Sequence, residues 1–330
     1  MHRENQTESP SPLSVCDSVP VNLSLVVPVY NEAESIDLFV DRIRQLFEEE
    51  KAVSLEVVFV NDGSNDNTLD ILLACQKAHL FVKIVDLSRN FGKEAALTAG
   101  LHFAEGEVVV PIDVDLQDPP ELVLDMLAKW REGYEVVLAR RSNRESDTWA
   151  KRTSANLFYR IHNSISDTKL PENVGDFRLM DRKVVNALLE LPEAHRFMKG
   201  LFAWVGFRTC HVDYVRSPRV AGATKFNGWK LWNFAMEGVT SFSTYLLRIW
   251  TYLGALISFV AFLFAIFIIM RVFIQGVDVP GYASLMVAVT FFGGLQLIGI
   301  GILGEYLGRT YIESKRRPPF VVRQVYKTKE

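Results

Sequence analysis

Two aspartates one residue apart hold the chain's strongest chemical signal. The run Val108-Val109-Val110-Pro111-Ile112-Asp113-Val114-Asp115-Leu116-Gln117-Asp118-Pro119-Pro120-Glu121 is an apolar stretch of strand length that stops at the pair. In an extended segment residues i and i+2 point to the same side. The spacing therefore predicts that Asp113 and Asp115 face one crevice at the carboxyl end of a strand. Paired hard oxygen donors there suit Mg²⁺ or Mn²⁺ bridging a diphosphate. Asp-X-Asp alone is a weak signal, since surface aspartate pairs are common. The Val/Ile strand before the pair and the Pro-Pro-Glu helix start after it favour a ligand site.

Three other segments end in polar residues of the same kind. They are Pro28-Val29-Tyr30-Asn31-Glu32, Asn61-Asp62-Gly63-Ser64-Asn65-Asp66-Asn67-Thr68 and Ser88-Arg89-Asn90-Phe91-Gly92-Lys93. One such cluster is ordinary turn chemistry. Four on one sheet edge describe a ligand crevice. Asp62 could accept hydrogen bonds from a base or ribose, and Arg89 and Lys93 could neutralise phosphate.

These residues need elements to position them, and the apolar pattern supplies them. Leu23–Val29, Leu55–Asn61, Val82–Leu87, Glu107–Ile112 and Glu135–Ala139 read as short strands buried on both faces. Ser35–Glu50, Asn67–Ala78, Lys93–Ala104 and Pro120–Trp130 read as helices with apolar residues three and four apart. Such alternation implies an α/β domain with a mostly parallel sheet and right-handed crossovers. No G-x-G-x-x-G or P-loop follows any strand, which removes the dinucleotide and Walker-type readings. Internal repeats are absent. The net charge of −3 averages a mildly acidic first half and a basic second half, and no nucleic-acid partner is expected.

The second half carries two long apolar runs. Ile249–Met270 is uncharged over twenty-two residues and Val279–Leu303 over twenty-five. Each exceeds the ~20 residues that cross ~30 Å of hydrocarbon. Thirteen Leu, Ile, Val or Phe residues in the first run, at roughly −0.5 kcal/mol each, give an upper bound of about −6 kcal/mol of insertion preference. A short connector makes the runs a transmembrane hairpin. Lys225, Lys230 and Arg248 precede it, and Arg309, Lys315, Arg316, Arg317, Arg323, Lys327 and Lys329 follow it. The positive-inside rule then puts both termini in the cytoplasm. Trp, Phe, Leu and Ile mixed with Lys and Arg over Asp147–Ser166 and Trp229–Trp250 read as interfacial amphipathic helices.

The expected division is a disordered tail over 1–22, a catalytic domain over 23–225 and an interfacial segment over 226–248. Spans over 249–273 and 282–304 follow, joined by an external loop over 274–281, with a basic cytoplasmic tail over 305–330. The polar start shows no signal peptide. Cys16, Cys75 and Cys210 are too scattered for a disulfide framework or zinc site, which fits a reducing compartment.

With these motifs in order, the chain resembles family 2 glycosyltransferases of the GT-A fold. Within them it is similar to polyprenyl-phosphate glycosyltransferases, the dolichol-phosphate mannose synthases and, more closely, the bactoprenol glucosyltransferases. Gly175-Asp176-Phe177-Arg178-Leu179-Met180, His195-Arg196-Phe197-Met198-Lys199-Gly200, Lys230-Leu231-Trp232-Asn233-Phe234 and the two apolar runs carry the closer match. Gly228 departs from it, standing where an aromatic residue is expected.

The resemblance implies an inverting transfer of a sugar from a nucleotide-sugar donor to a polyprenyl phosphate at the cytoplasmic face of the bilayer. It implies Mg²⁺ or Mn²⁺ on Asp115 with Asp113. Donor contacts would come from Pro28, Tyr30, Glu32, Asp62, Arg89, Lys93, Asp113 and Gln117. Asp176 holds the position of a general base, with base and orienter both open, and Asp115 is grouped with it as catalytic. Arg178, Arg196 and Lys199 are candidates to grip phosphate, and Lys199, Lys225, Lys230 and Arg248 to meet the acceptor or the headgroups. Glucose from UDP-glucose is the first expectation, with mannose, N-acetylglucosamine and an aminoarabinose as alternatives. Self-association is left open. A processive polysaccharide synthase would carry a Gln-x-x-Arg-Trp motif and more spans, and a non-catalytic scaffold would not need Asp62, Asp113, Asp115 and Asp176 intact.

Overall fold

The computed structural model describes residues 21–142, 171–215 and 281–327, apart from 49, 51, 172, 194 and 195, with scattered positions between 250 and 274. The tail over 1–20, the segment Asp147–Ser166, Lys225, Lys230, Arg248 and the loop over 275–280 lie outside the described residues.

In chain order the elements are β1 (Val21–Val29), α1 (Ala33–Glu48), β2 (Val53–Asn61), α2 (Thr68–Ala78), β3 (Val82–Leu87), α3 (Lys93–Phe103), β4 (Val108–Pro111) and α4 (Leu122–Arg131). Then come β5 (Val136–Arg141), β6 (Val174–Asp181), α5 (Arg182–Glu190), α6 (Met198–Trp204), β7 (Thr209–Tyr214), α7 (Tyr282–Ser314) and β8 (Val322–Tyr326). The α/β architecture expected from the alternating pattern is present. β1 shows why its run is continuously apolar. Leu23, Leu25, Val27 and Val29 join the core under α1, α2 and α4, while Val26 joins the core under α3, α5 and α6. A strand covered on both faces has no polar side to alternate with.

One eight-stranded sheet runs in the order β7-β5-β6-β4-β1-β2-β3-β8. β1 pairs parallel with both β2 and β4, so the strand order reverses direction between β1 and β4. Ligands of open α/β sheets bind outside the carboxyl ends of the strands at such a point. β6 enters antiparallel between β4 and β5, and β8 closes the other edge antiparallel to β3.

Two expectations change. Regular strand structure before the aspartate pair covers only Val108–Pro111. The Ile112 amide still donates to Val26 O at 3.0 Å. The chain then turns, and Leu116 takes a left-handed φ of 54°. Asp113 and Asp115 therefore lie at a turn, and strand alternation does not govern their direction. The stretch expected as a basic tail is largely structured. α7 continues to Ser314, and β8 joins the catalytic sheet. Pro318-Pro319 forbids further helix, and the alternation Val322-Arg323-Gln324-Val325-Tyr326 suits a half-covered edge strand.

Among the described residues one helical stretch, Phe291–Ser314, is long and apolar enough to cross a membrane, with 6% of its apolar window buried. It belongs to α7, whose 33 residues span about 50 Å at 1.5 Å per residue. Described positions of the first apolar run are also helical. Trp250 lies on α7 at Gly299, where an added Cβ would fall 1.9 Å from the indole nitrogen. Leu256, Phe259, Phe264, Leu297, Ile298 and Leu303 remain exposed.

Candidate active site

The carboxyl ends of β1 and β2 are tied into one loop system. The Asn31 amide donates to Ser64 Oγ at 3.0 Å, and the Asn65 amide returns a bond to Asn31 Oδ1 at 2.9 Å. Asn31 accepts the left-handed φ of 53° this crossing requires, as Asn does more readily than most residues. The Glu32 amide donates to Thr68 Oγ1 at 3.1 Å. Pro28, Tyr30 and Glu32 are half-buried beside these bonds.

Gly63 brings the β3 loop against them. Its φ is +65°, and a Cβ there would lie 2.4 Å from the Arg89 carbonyl carbon and 2.5 Å from Asn90 N. Both obstacles are backbone, so the loop itself would have to move. Gly63→Ala is expected to destabilise the fold by about 2 kcal/mol or more, combining a left-handed φ with overpacking. Chemical denaturation of the purified chain measures this, and a loss under ~0.5 kcal/mol would mean that the loop yields freely.

Asp62 joins the ends of β2 and β3. Its two carboxylate oxygens accept the Phe91 amide at 2.7 Å and the Gly92 amide at 2.9 Å. Burial raises its pKa above the usual carboxylate range against the pull of those two bonds and the Arg89 charge. Asp62 thus shapes the Ser88–Lys93 loop. Arg89 is exposed, and its guanidinium covers the Phe91 ring at 4.0 Å.

The chemistry concentrates where β4 and β6 meet. Val109 pairs with Met180 and Val108 with Asp181. Past Pro111 the two segments bring Asp113 and Asp176 within reach of one side chain. Lys93, the first residue of α3, bridges the two. Its Nζ lies 2.7 Å from Asp113 Oδ1 and 3.1 Å from Asp176 Oδ2. Burial works against the ammonium, but the Asp176 and Asp113 charges more than offset it and raise the Lys93 pKa. Burial would likewise raise Asp176, yet Lys93, Lys199 and Arg178 hold its carboxyl below the usual range. Glu94 moves the other way, because burial and the Asp176 charge push it up to about 8. Its Oε2 accepts the Met198 amide at 3.2 Å and so fixes the start of α6 beside the cluster.

Asp176 Oδ1 is buried and has no hydrogen-bond partner among the described residues. An open buried acceptor costs about 1–3 kcal/mol, which a ligand donor or cation could relieve. Asp115 is 9% exposed, and one oxygen accepts the Gln117 amide at 3.2 Å. Asp118 makes contacts of its own. It accepts the Tyr214 hydroxyl and sits 4.0 Å from Arg141. No group of three or more metal-ligating side chains occurs among the described residues. Two carboxylates nonetheless fit a hard cation that keeps waters and takes its remaining ligands from substrate phosphates, as Mg²⁺ does.

The two arginines expected at phosphate make backbone contacts in this structure. Arg196 donates to the carbonyls of Leu188, Leu191 and Glu193 at 2.6–3.2 Å, closing the exit of α5 with all three nitrogens. Arg178 is 3% exposed, donates to Gly175 O at 2.7 Å and stacks 3.9 Å over Phe202. Arg178 thus holds the backbone next to Asp176, and Arg196 holds the turn after α5. Lys199 stands close enough for its charge to act on Asp176 and Glu94. Sequence reasoning passed over Glu94, Tyr214 and Asp86. Asp86 had a readable signal, as the lone acid within the fully buried strand Val82–Leu87.

Residues 24–189 match the family model for glycosyl transferase family 2. The prophage bactoprenol glucosyl transferase homolog of Escherichia coli (strain K12) is 52% identical over 307 residues, covering 93% of this chain and 100% of that protein. The bactoprenol glucosyl transferase of Shigella phage SfV is 52% identical over 303 residues, covering 92% and 98%. Glucosyl-3-phosphoglycerate synthase from Mycobacterium tuberculosis, solved with Mn²⁺, uridine diphosphate and glucosyl-3-phosphoglycerate, aligns at a TM-score of 0.47 and 20% identity over 67% of this chain and 78% of that one.

Proposed function

This chain belongs to glycosyl transferase family 2, and we propose that it moves glucose from UDP-glucose onto a polyprenyl phosphate of the bactoprenol type at the cytoplasmic membrane face. Relatives at 52% identity are named bactoprenol glucosyl transferases, which supports the sugar and the acceptor. The observation that carries the reading is the Asp113–Lys93–Asp176 bridge with the open, buried Asp176 Oδ1 beside it.

In the proposed reaction the bond from the anomeric carbon to the diphosphate breaks as a bond to an acceptor phosphate oxygen forms on the opposite face. Mg²⁺ or Mn²⁺ held by Asp115, with Asp113 adjacent, would supply Lewis-acid neutralisation of the departing diphosphate. Pro28, Tyr30, Glu32, Arg89 and Gln117 line the strand ends where the donor would lie. Lys93 and Lys199 bring fixed positive charge to the phosphates. A phosphate monoester has its second pKa near ~6 and is largely dianionic at neutral pH, so it needs little help from a base. Asp176 is held ionised and paired, which suits orientation of Lys93 better than proton abstraction.

The route of the chain supports a membrane-held acceptor. β1 to β7 and β8 share one sheet, so any crossing by α7 requires a second crossing between residues 215 and 282. The first apolar run is the one segment of suitable length there, and Trp250 lies against Gly299. We therefore read 249–273 and 282–304 as two spans, with the catalytic domain on the same side as Lys315, Arg316 and Arg317. From Ser314 to Val322 the chain reaches at most about 28 Å even fully extended. That tether keeps the strand-end edge near the membrane, where Lys225, Lys230 and Arg248 would meet headgroups or acceptor.

The deciding experiment supplies purified full-length protein in detergent with undecaprenyl phosphate, divalent cation and a panel of nucleotide sugars. A glucosylated lipid from UDP-glucose is the expected product. A lipid product from another sugar alone would replace glucose, and hydrolysis without lipid product would overturn the acceptor.

A further inference from the structure

Beyond the reacting groups, the strand that returns from the membrane helix touches the donor loops through one side chain. Arg323 of β8 lies with Nη1 3.3 Å from Asp86 Oδ2 and donates from Nη2 to Ser88 O at 2.8 Å. Asp86 is fully buried, and its other oxygen accepts Asn61 Nδ2 at 2.7 Å. Asn61 Oδ1 in turn accepts the Ser64 amide at 3.2 Å, and Ser64 Oγ accepts the Asn31 amide. A continuous polar relay thus runs from β8 through β3 and β2 to the end of β1. The bond to Ser88 O reaches the other donor loop, which Gly63 and Asp62 hold from the opposite side.

We propose that Arg323 is a positioning residue for the nucleotide-sugar site, and that β8 thereby links the membrane helix to the donor loops. The physical reason is the state of Asp86. A buried carboxylate requires a cationic or fully hydrogen-bonded environment. Among the described residues Arg323 brings a guanidinium to that carboxylate, and it arrives from 237 positions away in sequence. Without it, Asp86 must recruit water or shift, and Asn61 and the Ser64 turn move with it. Lys327, just past the far end of the same strand, pairs with Glu105 at 3.0 Å, away from this relay. It therefore serves as a control for strand docking alone. The inference rests on the reading of these loops as the donor site.

The test compares Arg323→Gln, Arg323→Lys and Lys327→Gln in the full-length protein. Calorimetric titration with UDP in the presence of Mn²⁺ should show Kd rising about tenfold in Arg323→Gln, the scale of lost outer-shell support. Arg323→Lys should fall between that variant and wild type, with Lys327→Gln unchanged. Amide hydrogen exchange without nucleotide should quicken over residues 61–66 and 88–92 in Arg323→Gln only. UDP affinity unchanged in both Arg323 variants, or equal weakening in Lys327→Gln, would overturn the proposal. If Arg323→Gln fails to fold, Arg323→Lys decides by the same two measurements. Absence of UDP binding by the wild type would instead refute the donor-site reading, while the exchange pattern still reports on the relay itself.

Discussion

Asp176→Asn is expected to lower kcat by on the order of 10³-fold while UDP affinity stays within about threefold, the size of effect seen when a positioned charge at a reacting centre is removed. Asparagine keeps the shape and hydrogen-bonding capacity of the side chain but removes its charge. Lys93 would then be held by Asp113 alone, 2.7 Å away, and would swing toward β4 and away from the acceptor side. The donor loops lie at the ends of β1, β2 and β3, while Asp176 stands on β6, which explains the split between turnover and donor binding. The fold should survive, because Lys93 retains a carboxylate partner and Asp176 Oδ1 contributes no hydrogen bond among the described residues. Single-turnover rates, UDP calorimetry and thermal unfolding of one preparation check all three statements. A kcat within tenfold of wild type would remove Asp176 from the reacting centre.

Metal removal is the second large effect. Excess EDTA should stop turnover, and Asp115→Asn should reproduce most of that loss, on the order of 10²–10³ in kcat/KM. Asp113→Asn should act less on metal binding and more on Lys93, because the Asp113 carboxylate is already engaged by that ammonium. Asp115 is the more buried member of the pair, and the bond it accepts from the Gln117 amide orients it at the turn. Electron paramagnetic resonance of Mn²⁺ with and without UDP separates the outcomes. Two protein carboxylates bind a hard cation weakly on their own, so the signal should tighten when diphosphate oxygens complete the shell. Undiminished turnover in excess EDTA would sink the metal assignment.

Local pattern alone determined much of this protein. Unbroken Val/Ile/Leu runs such as Leu23–Val29 mark strands covered on both faces, and polar residues after each run mark the carboxyl edge where a parallel sheet binds ligands. The long apolar runs and their flanking charges were equally readable, since hydropathy and length are properties of contiguous residues. Tertiary structure decided how the marked residues are used. Asp176 meets Asp113 because β6, sixty residues downstream, enters antiparallel beside β4. No periodicity encodes a pairing register between distant segments. Asp62 shapes the neighbouring loop and Arg196 closes a helix through the backbone amides and carbonyls nearest each side chain. A buried donor or acceptor left unmade costs more than the bond is worth in water. The C-terminal strand is the clearest case. Its alternation of apolar and polar residues is compatible with a strand anywhere, and only the buried charge of Asp86 and the open edge of β3 select its place.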